Sequence, residues 1–96
     1  MLFVIIALDK PGAGELRAAT RAKHLEYIAA SKHAKLGGPF LDAKGNMIGS
    51  LLVLEADTLQ AAQDWAENDP YKKAGVFVST EIRPWKVTVN ICGAGL

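Results

Sequence analysis

The sequence has one cysteine and no long run of like charge. Cys92 is the only cysteine in 96 residues, so no disulfide can form within the chain, and we expect a protein of the reducing cytoplasm. Basic and acidic side chains nearly balance at a formal net charge of +1, and the longest run of one sign is Lys72-Lys73. These features predict no nucleic-acid partner and no membrane partner. A small molecule or a second copy of the chain is the expected partner.

Long hydrophobic runs are also missing. The opening run from Leu2 to Leu8 ends at Asp9-Lys10-Pro11, so it is too short for a membrane helix, and no basic segment precedes it as in a secretion signal. Its β-branched residues predict a buried first strand. Half of the residues are apolar, which is enough for one domain with a modest core.

Metal and cofactor motifs are absent as well. His24 and His33 lie on opposite faces of one predicted helix, and no cysteine or histidine pair has the spacing of zinc ligands. Gly12-Ala13-Gly14 begins like a dinucleotide-binding motif, but Arg17 stands where the third glycine belongs. We therefore predict neither a metal site nor an organic cofactor.

Hydrophobic periodicity and turn residues predict the order β-α-β-β-α-β. The predicted elements are strand 2–8, helix 13–32, a hairpin of strands 35–41 and 47–55 around the turn 42–46, a helix capped by Asp57 or Thr58 and ending near 67, a helical turn from Pro70 to Gly75, and strand 76–83. Alternation in 85–90 is interpreted as an edge extension of the last strand, and the prediction is one domain over 1–90 with a tail over 91–96.

This order predicts a ferredoxin-like α+β protomer, with an antiparallel sheet and two helices on one face. Strands one and three are expected to lie parallel at the centre of the sheet. Both are apolar on both faces, yet the chain has no further helix to cover the second face. We therefore expect a homodimer that packs sheet against sheet.

Several short segments, in their order and spacing over nearly the whole chain, resemble the YciI-like (YCII-related) family of dimeric α+β barrel proteins. They are Arg21-Ala22-Lys23-His24-Leu25, Gly38-Pro39-Phe40, Gly49-Ser50, Ala61-Ala62 with Trp65, Asp69-Pro70-Tyr71 with Ala74-Gly75-Val76-Phe77, and Ile82-Arg83-Pro84-Trp85. The resemblance implies a dimer formed through sheet faces and an active site with a histidine and an aspartate, which fall on His24 and Asp69. One branch of the family is linked to dehydrochlorination of chlorinated hydroxyquinols, and relatives of the fold include muconolactone isomerases and cofactor-free monooxygenases.

Element lengths support that pairing. If both helices begin at the same end of the sheet, His24 and Asp69 each lie roughly 16 Å along them. Ser50 falls at a similar level, with Gly38 opposite it across the hairpin. Asp9 falls at the far end of strand one, so we rank it below Asp69. Asp69 also precedes a proline, which is typical of a helix cap, and the two roles are compatible.

The remaining candidates would bind substrate. Arg21, one turn before His24, could hold an anionic group, and Ser50 could orient a substrate oxygen. Gly38-Pro39 forms a corner where a ligand can approach the backbone. Tyr71 could offer its hydroxyl to the pocket or simply pack, and the sequence does not decide between these roles.

A histidine oriented by a carboxylate is suited to moving protons near neutral pH. The leading hypothesis is a cytoplasmic, cofactor-independent enzyme that uses His24 and Asp69 on a small cyclic or aromatic metabolite, as a dehydrochlorinase-type lyase or an isomerase. The alternatives are a dimer that binds a small molecule without chemistry, and a purely structural partner protein.

Overall fold

The computed structural model describes all 96 residues and contains four strands and three helices. They are β1 (Leu2–Asp9), α1 (Gly14–Ser31), β2 (Ala34–Leu41), β3 (Met47–Glu55), α2 (Leu59–Glu67), α3 (Pro70–Lys73) and β4 (Phe77–Trp85). The sheet order is β2-β3-β1-β4, with every neighbouring pair antiparallel. The predicted ferredoxin-like α+β protomer is confirmed. None of the helices is long and apolar enough to cross a membrane.

The core lies between the sheet and the helices. Alternate residues of β1, Phe3 and Ile5, are buried on one face, because side chains of a strand point to opposite sides in turn. They join Leu52 and Leu54 of β3 and Trp65 of α2 in one apolar cluster. The other face of β1, which carries Val4, Ile6 and Leu8, has no helix over it and is partly or fully exposed.

The direction of β3 differs from the expectation. We predicted that β1 and β3 lie parallel, but they pair antiparallel, with Ile5 opposite Leu52. The reason is topological: α1 returns the chain so that β2 runs alongside the direction of β1, and the hairpin then reverses it into β3. The helices therefore begin at opposite ends of the sheet. His24 lies about 15 Å from the start of α1, and Asp69 lies about 15 Å from the start of α2. Both residues therefore come near the middle of the sheet and still meet.

The β2–β3 register also differs from the prediction by one residue. Pro39, rather than Gly38, lies opposite Ser50, and Gly38 lies opposite Leu51. The cause is a bulge beside the turn, where pairing shifts between Phe40 and Leu41. The hairpin itself and the place of Pro39 on an edge strand are as predicted.

The last strand ends earlier than predicted. β4 stops at Trp85, which pairs with Leu2 at the start of β1, and residues 86–90 form no strand. The predicted edge extension is therefore wrong, because β1 offers almost no further backbone for pairing. At the other end, Val76 does not join the strand; it is fully buried and donates its N–H to the carbonyl of Tyr71.

Candidate active site

His24 and Asp69 are in direct contact. The Nδ1 of His24 lies 2.8 Å from Oδ1 of Asp69, and both side chains are buried. A carboxylate only accepts hydrogen bonds, so Nδ1 carries the proton and Nε2 of the neutral ring is an acceptor. Nε2 has no partner within the chain, and His24 lines a cleft between α1 and the β2–β3 hairpin. The imidazole can therefore take a proton from a ligand in that cleft.

Asp69 is also the cap of α3, as its sequence predicts. The same Oδ1 accepts the backbone N–H of Tyr71 at 3.0 Å, with Pro70 at the first helical position. One carboxylate oxygen therefore starts a helix and orients the imidazole.

Tyr71 packs flat against His24. The two ring centroids are 3.9 Å apart with an interplanar angle of 18°, and Phe77 meets Tyr71 edge-on at 5.9 Å. Burial raises the pKa of the Tyr71 phenol, while the charges of Arg17 and Arg21 partly oppose that rise. Tyr71 therefore stays protonated at neutral pH and fixes the plane of the imidazole by stacking.

Arg17 is a buried residue of the site that the sequence reasoning missed. Its guanidinium donates from Nε to Asp9 at 2.8 Å, and from one terminal nitrogen to Asp9, to the carbonyl of Gly49 at 2.8 Å and to Ser50 Oγ at 2.6 Å. It also lies over the ring of Tyr71, with Cζ 4.6 Å from the centroid. A signal was present: Arg17 precedes His24 by two helical turns, so the two share one face of α1.

Asp9 also lies closer to the site than predicted. It is not at the far end from Ser50, because Ser50 pairs with Ala7 in the sheet and Arg17 joins Asp9 to the Ser50 hydroxyl. The expectation failed with the assumed direction of β3. Asp69 is the carboxylate that contacts His24, and Asp9 is the one that neutralises Arg17.

The cleft between α1 and the β2–β3 hairpin has a volume of about 370 Å³. All of the predicted site residues except Asp69 line it, and Asp69 lies behind His24. The predicted residues in the lining are Arg21, His24, Gly38, Pro39, Ser50 and Tyr71, and Arg17 lies among them. Gly38 contributes only its backbone here, since its pairing with Leu51 turns that position toward the sheet face without helices.

The cleft carries excess positive charge. Arg17 is neutralised by Asp9, but Arg21 and Lys35, which also line the cleft, form no ion pair. The Ser50 hydroxyl accepts from Arg17 and therefore has its own proton to donate to a ligand. This arrangement is suited to an anionic ligand that carries hydroxyl or carbonyl oxygens.

Comparison with known proteins identifies relatives in sequence and in fold. The YCII-related domain family matches residues 1–86. An uncharacterized protein from Haemophilus influenzae is 35% identical over 95 residues, covering 90% of this chain and 97% of its own length. The protein YciI of Escherichia coli is 34% identical with the same coverage.

Among solved structures, 5-chloro-2-hydroxyhydroquinone dehydrochlorinase from Burkholderia phenoliruptrix, in complex with 2,5-dihydroxybenzoquinone, is 37% identical. It superposes with a TM-score of 0.83 over 90% of this chain and 94% of its own. An antibiotic biosynthesis monooxygenase, at 14% identity and a TM-score of 0.58 over 93% of this chain and all of its own, shares the fold alone. The family match over most of the chain and the relatives above 30% identity lead to one conclusion: this chain belongs to the YCII-related family.

Proposed function

We propose that this protein is a small lyase in which His24, oriented by Asp69, moves protons on a hydroxylated aromatic ring. The observation that carries the proposal is the 2.8 Å contact between His24 Nδ1 and Asp69 Oδ1, which leaves Nε2 available in the cleft. A buried carboxylate behind the ring stabilises the imidazolium that forms when Nε2 takes a proton.

Removal of HCl from a chlorinated hydroxyquinol is the reaction that we would expect, as in the dehydrochlorinase that this chain resembles. A base removes a hydroxyl proton, and the ring carbon that bears chlorine receives a proton. Chloride then leaves with the carbon–chlorine electron pair while a second hydroxyl loses its proton. The electrons balance within the molecule, because the hydroquinone becomes a quinone while carbon–chlorine is replaced by carbon–hydrogen. His24 is suited to all three proton transfers in turn: it accepts the first hydroxyl proton, returns it to the ring carbon, and is then free to accept the second hydroxyl proton.

The cleft offers each group that such a substrate needs. The Ser50 hydroxyl, polarised by Arg17, would donate to a ring oxygen as it ionises, and Arg21 would attract the resulting anion. Gly38 and Pro39 would form the wall against the ring, and Tyr71 would hold the imidazole flat. The volume of about 370 Å³ accommodates a single substituted ring.

The protein would work as a homodimer joined through the open faces of two sheets. Val4, Ile6 and Leu8 of β1 and Leu51, opposite Ile6, are apolar residues of the face that no helix covers. Glu81 and Arg83 of β4 lie beside this apolar strip, opposite Ile6 and Val4, and an apolar centre with a polar rim is typical of an interface.

Chloride release from 5-chloro-2-hydroxyhydroquinone tests the proposal. We expect His24→Gln to lower kcat by about 10²–10⁴-fold, the usual contribution of a general acid or base. The matched control is His33→Gln, because His33 is exposed and lies outside the cleft; this variant should keep the parent rate. A folded His24→Gln protein with the parent rate would contradict the catalytic role. A parent protein that binds the compound without releasing chloride would instead indicate a binding protein.

A further inference from the structure

A small cavity adjoins the cleft, and Ser50 and Leu52 line both. It is enclosed by residues of β1, β3, α2 and β4 and offers about 10 Å³ for the centre of a water-sized sphere. Most of its lining is apolar, but four of the lining residues have polar side-chain atoms: Ser50, Trp65, Asp69 and Thr80. A space of this size holds one water molecule when polar partners surround it.

Two buried polar atoms of these lining residues have no partner within the chain, and one oxygen of Asp69 makes no hydrogen bond either. The buried Nε1 of Trp65 and Oγ1 of Thr80 make no hydrogen bond. At Asp69, both hydrogen bonds go to Oδ1, so Oδ2 makes none, although the side chain is only 6% exposed. A buried polar group without a partner is destabilising, and native proteins rarely leave one unpaired. The residues around this one small cavity thus include an N–H donor, a hydroxyl and a carboxylate.

We propose that this cavity binds a single structural water that completes the hydrogen bonding of Asp69. The water accepts the indole N–H of Trp65, donates to Oδ2 of Asp69, and exchanges its remaining hydrogen bond with the Thr80 hydroxyl. Two donor hydrogens and two acceptor lone pairs on one water match these partners. An apolar cavity of this size would stay dry, but the partners of this one include an anion.

The water also deepens the function proposed above, and this consequence rests on that function. With Oδ1 held by His24 and by the amide of Tyr71, and Oδ2 held by the water, the carboxylate is fixed at both oxygens. Trp65 and Thr80 then act as positioning residues for the imidazole, although neither lines the ligand cleft. Residues that do not touch the ligand themselves commonly support a histidine that does.

The sign of a stability change tests the water directly. In Thr80→Val the hydroxyl is replaced by a methyl group of the same shape. If the hydroxyl bonds to a water, its loss leaves that water with one partner fewer. We then expect the equilibrium constant of unfolding, measured in urea, to rise about fivefold. If the cavity is dry, the same substitution removes an unpaired buried hydroxyl and raises stability, which would overturn the proposal. The matched control is Thr88→Val, the same substitution at an exposed threonine outside the sheet, which should be neutral.

Nuclear magnetic resonance of the ¹⁵N-labelled protein detects the water independently of any activity. The chain has two tryptophans, of which Trp65 is buried and Trp85 is 41% exposed. We expect the Trp65 indole proton to show a nuclear Overhauser cross-peak to a long-lived water, and the Trp85 indole proton to show none. No such peak at Trp65, or a high-resolution crystal structure with side-chain atoms filling the cavity, would overturn the proposal. Neither readout depends on chloride release, so it can fail or succeed separately from the proposed lyase activity.

Discussion

Arg17 is held on several sides at once, although it lies on a helix in which most residues are exposed. Its guanidinium and the Asp9 carboxylate are each only 6% exposed, and the guanidinium also bonds to Gly49 and Ser50 of β3. A buried cation that joins α1, β1 and β3 stabilises only while its partner charge is present. Arg17 is therefore a structural part of the floor of the cleft as well as a donor in it.

Replacing Arg17 should destabilise the fold through the charge left behind. We expect Arg17→Met to lower the free energy of unfolding in urea by about 3–5 kcal/mol, because Asp9 is then a buried anion without a cation. The double variant Asp9→Asn with Arg17→Met should recover much of that loss, since no uncompensated charge remains. Equal losses in the single and double variants would show that packing, and not charge, is what Arg17 contributes.

At this scale the order of the motifs pointed to His24, Asp69 and Ser50, whereas the argument from element lengths assumed that both helices begin at the same end of the sheet, which is wrong. The spacing of Arg17 from His24 placed both on one face of α1 but did not predict the burial of Arg17. An arginine on a helix is usually exposed, and its burial depends on Asp9, whose place was misjudged. An ion pair between two elements can be predicted only when the relative direction of those elements is known.

Among the elements, the β2–β3 hairpin depends on one aspartate in its turn. Asp42 Oδ1 accepts the backbone N–H groups of Lys44 and Asn46 at 2.8 Å and 3.0 Å, and Oδ2 accepts from the Asn46 side chain. The hydrogen bonds from Asn46, its backbone N–H first, lower the pKa of Asp42 from 3.8. This turn supports the strand that carries Gly38 and Pro39 into the cleft.

The pH dependence of the hairpin follows from that shift. A carboxyl group whose pKa is lower in the folded chain stabilises the fold above its unfolded value and loses that contribution as the pH falls through the folded value. We expect Asp42→Ala to lower the urea midpoint at neutral pH and to converge with the parent protein as the pH drops below 3.8. Asp57→Ala controls for the loss of one surface carboxylate. A difference that stays constant down to strongly acidic pH would contradict this role of Asp42.

Element types were predictable here, but their relations were not. The turn residues Asp42 to Asn46, the cap at Thr58 and the helical turn after Asp69 each have a local signal, and each forms as predicted. The bulge beside Leu41 and the antiparallel direction of β3 depend on contacts between distant residues. The end of β4 depends likewise on where β1 begins.

On the scale of the whole molecule, the two faces of the sheet differ in what covers them. The helices bury Phe3 and Ile5, whereas Ile6 and Leu8 lie on the face without helices. The sequence predicted this imbalance correctly, because β1 is apolar at every position from Leu2 to Leu8 while only two substantial helices follow. Which surface completes the open face is a property of the assembly, and it cannot be derived from one chain.

Ile6→Glu tests the proposed dimer. A charge near the centre of the open face would be buried without a partner in a sheet-to-sheet interface, so we expect this variant to sediment as a monomer where the parent protein sediments as a dimer. Leu59→Glu, an equally large change on an exposed residue of the helical layer, should leave the dimer intact. A parent protein that is monomeric at high micromolar concentration in sedimentation velocity would refute the interface.

The double use of Asp69 Oδ1 has a consequence for temperature. The four-residue α3 begins at this atom, and the imidazole is held by the same atom and by the Tyr71 ring that α3 carries. Tyr71 is only 2% exposed, so α3 is held by its packing as well as by this one atom. An opening of α3 would release the imidazole from both supports at once while the sheet stays intact. The site therefore assembles and comes apart as one unit with this helical turn, and on warming we expect activity to be lost no later than the fold itself.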